Sequence, residues 1–331
     1  MQEIEHGVLE QYDINVLGAR KTRGAVLCDT EQGIYLLKEV SASQERMNAL
    51  SELYDFLETQ EWCNVDAIVK NQEGNGITVA ENGNKYILKK WFAGRECDPR
   101  KPGEILEAAG ALAKLHLIMK RKMDAPVPEA ESMKAEYVKH NRELKKVRSF
   151  VRKYTPKSQF EIEFLKNYNE MFSWAQTAVD MLGESEYETL YQESVAAGCM
   201  VHGEYNHHNI LMRTTDTKLT AITNFDKFKK NIQMEDFYYF LRKIMEKHGW
   251  KERLGDNMIN AYTAVKPLTD QQVEYLKIRL VYPEKFWKTA NAYYCSNKAW
   301  IPSKNIEKLE MVIHQTKEKE RFLENVFSFK L

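Results

Sequence analysis

Residues 202–211 read His-Gly-Glu-Tyr-Asn-His-His-Asn-Ile-Leu, and this stretch constrains the chain more than any other. A short apolar lead-in, Cys199-Met200-Val201, reaches a His-Gly pair and then a carboxylate, Glu204. Asn209 follows five residues later, directly before an apolar pair suited to start a strand. A carboxylate so placed can accept the proton of an attacking hydroxyl, and an asparagine oxygen can hold a magnesium ion beside phosphates.

Phosphotransferases built on the protein-kinase plan need this order of groups. Glu204 stands where that plan has an aspartate. It keeps the charge but adds a methylene, which moves the carboxylate by about 1 Å, and a displacement of that size can cost about a hundredfold in rate.

The chain has 331 residues, enough for two lobes with proper cores. It is 43% hydrophobic and 29% charged, as ordinary globular proteins are. Lysine plus arginine and aspartate plus glutamate each total 48, so no net charge draws it toward nucleic acid or an acidic membrane. The five cysteines are scattered without metal-ligand spacing, which points to reduced thiols. The acidic start Met-Gln-Glu-Ile-Glu-His lacks an apolar run, and no stretch approaches the roughly 18 apolar residues of a membrane span. The expectation is a protein made and folded in the cytosol.

Ala25–Cys28 and Ile34–Lys38 read as strands around a turn at Asp29–Gly33. Ser41–Thr59 reads as a helix, since Met47, Leu50, Leu53, Tyr54 and Leu57 recur at helical spacing. Further strands are expected at 65–69, 76–80 and 85–91, and a lobe boundary at Ala93-Gly94 divides the chain into 1–93 and 94–331. Beyond it, helices are expected at 104–119, 132–153, 158–181 and 185–196, a hairpin at 210–212 and 219–222, and helices from Glu235 onward. The fold class is therefore α+β: an N-terminal antiparallel sheet with one helix, then a larger, mostly helical part.

Lys38 ends an apolar strand that leads into a helix, the place where the kinase plan puts a lysine on the phosphates and a helical glutamate beside it. Glu52 is the preferred partner and Glu45, one heptad earlier, the alternative. Gly18–Gly24 occupies the position of a phosphate-cradling loop without its glycine pattern; Arg20, Lys21 and Arg23 there either meet phosphate or form a solvated turn. In Ile222-Thr-Asn224-Phe-Asp226, Asn224 takes the register of the magnesium carboxylate, and a neutral amide holds that hard cation less well. Asp226, two residues on, could reach the same ion or could be a turn residue. Together, Glu204 and Asn224 predict a slow enzyme or none. His202, His207 and His208 lack companion ligands and read as packing residues, not as a zinc site. Asp236 reads as a helix-start carboxylate that braces the loop, and the basic run 139–157 as a solvated face.

Val201–Leu211 resembles the H-G-D-x-x-x-x-N-[IVL]-L loop of the aminoglycoside phosphotransferase and choline kinase superfamily. Within it, the chain resembles the CotS-type spore coat proteins of endospore-forming Firmicutes. Gly33–Lys38 is similar to that family's G-x-x-x-L-K strand and Leu112–His116 to its L-A-x-L-H helix. Asn224-Phe-Asp226 with Asp236 and Leu241-Arg242-Lys243 is similar to its [DN]-F-D…D-x-x-x-x-L-R-[KR] segment. The most family-specific stretch is Tyr282-Pro-Glu-Lys-Phe-Trp-Lys, continuing through Tyr293-Tyr294 and Lys298-Ala-Trp300. The resemblance covers roughly residues 12–325. It implies a two-lobed kinase-like fold with ATP between the lobes. It makes Lys38 the nucleotide lysine, Glu204 the proton-accepting carboxylate, and Asn209 and Asn224 the metal-side residues, so ATP and magnesium are the implied cofactors. It further implies a coat component synthesised in the mother cell and placed in the spore coat, with an ATP-type cleft and weak or absent catalysis, its partners being other coat proteins. The alternative is an active ATP-dependent phosphotransferase acting on a small hydroxyl or amino compound.

Overall fold

Period-two alternation from Val16 onward builds an antiparallel meander of β1 (Val16–Thr22), β2 (Ala25–Thr30) and β3 (Gly33–Val40). Arg23-Gly24 and Glu31-Gln32 join these strands, and Gly24 adopts the φ of +66° that such a tight turn favours. The structure, a computed structural model, describes residues 3–153, 155–295 and 303–331. The Lys298-Ala-Trp300 part of the motif above lies outside the described residues.

The chain divides into two compact units, Met1–Glu129 with Val195–Asp236, and Ala130–Ser194 with Phe237–Leu331. The first contains α1 (Glu3–Leu9), the meander, α2 (Gln44–Thr59), β4 (Asn64–Val65), β5 (Ile68–Val69), β6 (Thr78–Val79), β7 (Lys85–Trp91), β8 (Arg95–Glu96) and α3 (Pro102–Ile118). From the later segment it adds β9 (Met200–Val201), β10 (Ile210–Met212), β11 (Leu219–Ile222) and β12 (Lys229–Lys230). The main sheet runs β1-β2-β3-β7-β5, with β6 also on β7. Its register decides which side chains share a face. Arg20 lies opposite Leu27, Leu27 opposite Leu36, and Leu36 opposite Lys89. Ala25 lies opposite Lys38, and Lys38 opposite Ile87. Cross-strand partners project to the same side, so Arg20, Lys38 and Lys89 stand on one face among Ala25, Leu27 and Leu36. The other face buries Val26, Cys28, Leu37, Tyr86 and Leu88 against Val8, Leu9 and Tyr12. That burial holds α1, a seven-residue helix too short to persist alone and not expected from the sequence.

Ser43 caps α2, its Oγ accepting from Arg46 N at 3.2 Å, and Met47, Leu50, Leu53, Tyr54 and Leu57 form its buried side as their spacing required. The single strand expected at 65–69 is instead two short strands in different sheets. β4 pairs parallel to β11 and β5 pairs with β7, and the chain breaks between them at Asp66-Ala67. A buried aspartate cannot continue an apolar strand without a partner, and here the break delivers it to one.

The second unit is built from helices, among them α4 (Met133–Lys153), α5 (Gln159–Glu184) and α6 (Tyr187–Ala196). α7 (Met234–His248), α8 (Glu252–Thr263), α9 (Asp270–Val281), α10 (Glu284–Tyr294), α11 (Ser303–His314) and α12 (Thr316–Phe327) complete the chain. Tyr137, Leu144, Val147 and Val151 bury one face of α4, while Lys139, Arg142, Lys145 and Lys146 are exposed, the solvated basic face read from the sequence.

Candidate functional site

The loop from His202 to Asn209 links β9 to β10 and is tied down from beneath. Asp236, in the first turn of α7, accepts from His202 N at 2.5 Å and Gly203 N at 2.9 Å, while His116 Nε2 lies 3.3 Å away. This is the bracing role expected of Asp236. Gly203 has φ +81°, and a Cβ there would lie 2.2 Å from Lys227 O, so only glycine fits. His202 is buried, with Nε2 at 3.0 Å from Thr223 O and Nδ1 accepting from Glu204 N at 3.1 Å. Burial lowers its pKa, and this bonding pattern requires the neutral ring with the proton on Nε2. Both ring nitrogens are committed to backbone. His208 Nδ1 meets Glu96 Oε2 at 2.5 Å.

Asn206 and Asn209 each donate a side-chain N–H to the carbonyl oxygen of Glu204 at 2.9 Å, which fixes the backbone under that residue. The Glu204 carboxylate accepts from Asn224 Nδ2 and from Lys227 Nζ, each at 3.3 Å. Asn224 sits in the left-handed region (φ 68°, ψ 56°), which asparagine tolerates better than most residues. Its N–H points at both oxygens of Asp66, 3.0 and 2.9 Å away.

Lys38 and Asp226, both singled out in the sequence, meet: Lys38 Nζ is 2.5 Å from Asp226 Oδ2 and 3.4 Å from Asn224 Oδ1. The expected pairing of Lys38 with Glu52 is not what the structure contains. Glu52 accepts from Asp124 N at 2.9 Å and Ala125 N at 2.7 Å, and no ion pair joins Glu45 to Lys38 among the described residues. The face of α2 that reaches the site carries Arg46 and Tyr54 instead. Arg46 Nη2 donates to Asp226 O (2.9 Å) and Phe228 O (2.5 Å), and its guanidinium lies 4.1 Å from the Phe228 ring centre.

Lys89, Asp66 and Tyr54 were missed. Lys89 is 1% exposed, with Nζ 3.1 Å from Asp66 Oδ2, 2.8 Å from Asp226 Oδ1 and 3.0 Å from Tyr54 Oη. Tyr54 Oη also donates to Asp66 Oδ1 at 2.7 Å. Burial works against the Lys89 charge, but Asp66, Tyr54 and Asp226 outweigh it and raise its pKa well above the ordinary value. Burial likewise opposes ionisation of Asp226, yet Lys89 and Lys38 hold its carboxyl far below the usual range. Two fixed ammonium groups therefore occupy the two oxygens of one carboxylate. The available signal was a lysine and an aspartate inside otherwise apolar strands, Tyr86-Ile-Leu-Lys89 and Val65-Asp66-Ala-Ile-Val69, because a charge in such a place needs an opposite partner.

Lys38, Lys89, Asp66, Glu204 and Asn224 line a cavity of about 560 Å³, within the range of small-ligand sites, and Asp226 lies behind its two lysines. Leu27 and Leu36 from the sheet and Leu211 from β10 supply apolar surface, and Arg20, Lys38 and Asn209 supply polar groups. Arg20 makes no ion pair among the described residues, whereas Arg23 is 3.4 Å from Glu96. Gly18–Gly24 is not a loop: it is β1 and its turn, and Arg20 stands on the cavity face. Apolar walls with two basic groups, Arg20 and the Asp226-paired Lys38, fit a nucleotide. The same residues do not present a ready magnesium site. That ion is held through one or two carboxylates, and a carboxylate already paired with ammonium groups must give them up to take it. Asp226 gives both of its oxygens to lysines, Glu204 gives its two to Lys227 and Asn224, and Asn224 is neutral.

A family model described as "Spore coat putative kinase YutH" matches residues 5–326. Spore coat protein S of Bacillus subtilis (strain 168) is 25% identical over 308 residues, 90% of this chain and 85% of that protein. An aminoglycoside phosphotransferase from Alicyclobacillus acidocaldarius superposes with a TM-score of 0.88 at 15% identity, covering 99% of this chain and 96% of that one. Spectinomycin phosphotransferase APH(9)-Ia, solved with ADP and spectinomycin, gives 0.66 at 12% identity over 95% of this chain and 94% of its own. At these identities the solved structures establish the fold, which is the kinase-like phosphotransferase fold.

Proposed function

The chain belongs to the YutH family of kinase-like spore coat proteins, and from that premise we propose that it is a nucleotide-holding component of the spore coat whose phosphoryl transfer is at most slow. One observation carries this reading: the carboxylates in and beside the cavity are already paired with resident lysines, Asp226 with Lys38 and Lys89, Glu204 with Lys227. A nucleotide's phosphates need cations: Arg20 offers one, and Lys38 offers a second by turning from Asp226, which keeps Lys89 as its counter-ion. Transfer further needs an unencumbered proton acceptor at the right distance. Glu204 is one methylene longer than the aspartate of active kinases and is tethered by Lys227 and Asn224. A misplacement of about 1 Å is worth about a hundredfold in rate. The ADP bound by spectinomycin phosphotransferase, which shares the fold, adds support for a nucleotide.

Thermal unfolding with and without ATP or ADP tests the reading, since a ligand of the folded state alone must raise the midpoint. A rise with nucleotide together with negligible release of labelled phosphate is expected. One feature favours the alternative of an active phosphotransferase on a small hydroxyl or amino compound: the retained carboxylate of Glu204, held over Asn209 by its own carbonyl. Transfer that matches active kinases in rate, and that Glu204→Ala abolishes, would establish that alternative instead.

A further inference from the structure

The stretch Tyr282–Lys288 takes no part in the cavity around Lys38, yet it carries a polar cluster of its own inside the helical unit. Glu136 and His140 stand four residues apart on α4, hence on one face. Glu284 opens α10. One donor atom from each of the three lies within 4.8 Å of the other two. His140 and Glu284 are each 5% exposed, and among the described residues His140 Nδ1 and Glu284 Oε2 have no hydrogen-bond partner. Buried polar atoms left unpaired are costly and uncommon. Two such atoms in one cluster are what a cation between them would satisfy at once.

We propose that Glu136, His140 and Glu284 bind a first-row transition dication, zinc foremost. One imidazole with two carboxylates suits such an ion better than magnesium or calcium, which take oxygen alone. The imidazole is held in place, stacked on Trp287 with ring centres 3.3 Å apart, while Trp287 Nε1 donates to Glu143 Oε2 at 2.7 Å. Lys288 Nζ lies 2.8 Å from Glu284 Oε1. Lys288 uses Oε1 and leaves Oε2 available to a cation. Zinc bonds of about 2.0–2.2 Å set tetrahedral donors about 3.4 Å apart, so the cluster must contract on binding. Glu136, with a long side chain 34% exposed, can supply that movement. Arg279, 3.5 Å from Glu136 Oε2, and Lys288 repel an incoming dication, so the affinity is expected in the micromolar range and not at the level of a structural zinc finger. Bound there, the ion would lock the Tyr282–Lys288 segment to α4.

The test uses the full chain stripped with a chelator and then titrated with zinc and with cobalt as its spectroscopic substitute. One equivalent of cobalt should give visible d–d absorption, and zinc at about a hundredfold over its dissociation constant should raise the melting midpoint by about 4 °C. Glu136→Gln and His140→Gln should each remove both signals. Because His140→Gln also loses the stacking on Trp287, Glu136→Gln, at a side chain one-third exposed, decides the matter should the former fail to fold. No signal in the parent protein, or absorption and midpoint shift that persist in Glu136→Gln, would overturn the proposal.

Discussion

Lys89→Met isolates the interaction on which the cavity is built. Lys89 is 1% exposed and touches Asp66, itself 1% exposed, at 3.1 Å and Asp226 at 2.8 Å. Methionine fills nearly the same volume, so the change removes the charge and leaves little void. Removing one partner of a buried ion pair costs about 3–5 kcal/mol because the other charge stays buried. For a chain of 331 residues about 1.4 °C is lost per kcal/mol, so the midpoint should fall by about 4–7 °C. Lys38→Met removes a cation from the same Asp226, but that pair is 31% and 26% exposed, and solvent-screened pairs contribute about 0–1 kcal/mol. Its midpoint should fall by about 2 °C at most. Scanning calorimetry at neutral pH compares the two, and Lys89→Met with Asp66→Asn should recover part of the loss, since the two residues are coupled. Equal midpoints for the two single variants, or a double variant that loses the sum of its singles, would refute the argument that Lys89 is the resident counter-charge.

Other consequences can be measured independently. Gly203→Ala meets Lys227 O at 2.2 Å with φ at +81°, and should lose at least about 2 kcal/mol in urea denaturation; an unchanged midpoint would contradict the tight loop. His140, with its pKa depressed from 6.5 to about 4, gives stability that is complete above 6.5 and is lost as pH falls toward 4, about 3 kcal/mol in all. His140→Phe keeps the stacking on Trp287 and should flatten that part of the pH curve, so parallel curves for the two proteins would reject the assignment. Glu204→Asp shortens the tethered carboxylate and should raise any labelled-phosphate transfer by up to about a hundredfold; a lower rate would show that the glutamate is not what slows it.

Much of this was legible in the residues. The spacing of Met47, Leu50, Leu53, Tyr54 and Leu57 specified α2, and the apolar run before Lys38 specified β3, because each element buries one side and its period follows. The His-Gly-Glu loop and Asp236 were recognisable because local backbone demands, a positive φ and a helix start, select residue types. Pairing across the sheet was less legible. Helical period alone does not say which flank of α2 faces Lys38, and Arg46, not Glu52, reaches the site. Lys89 finds its partners 23 and 137 residues away, and nothing local announces either contact. Asp66 was read as part of one strand over 65–69; it marks the point where the chain passes from one sheet to another.

The central claim is a cavity that holds a nucleotide on resident basic groups. Titration calorimetry of ATP into the parent protein and Lys38→Ala, each with EDTA and with magnesium, tests it most directly. The account predicts one site in the parent protein, of similar affinity with or without the metal, weakened at least about tenfold by loss of a charged contact in Lys38→Ala. Absence of binding, binding that appears only with magnesium, or binding indifferent to Lys38→Ala would contradict it.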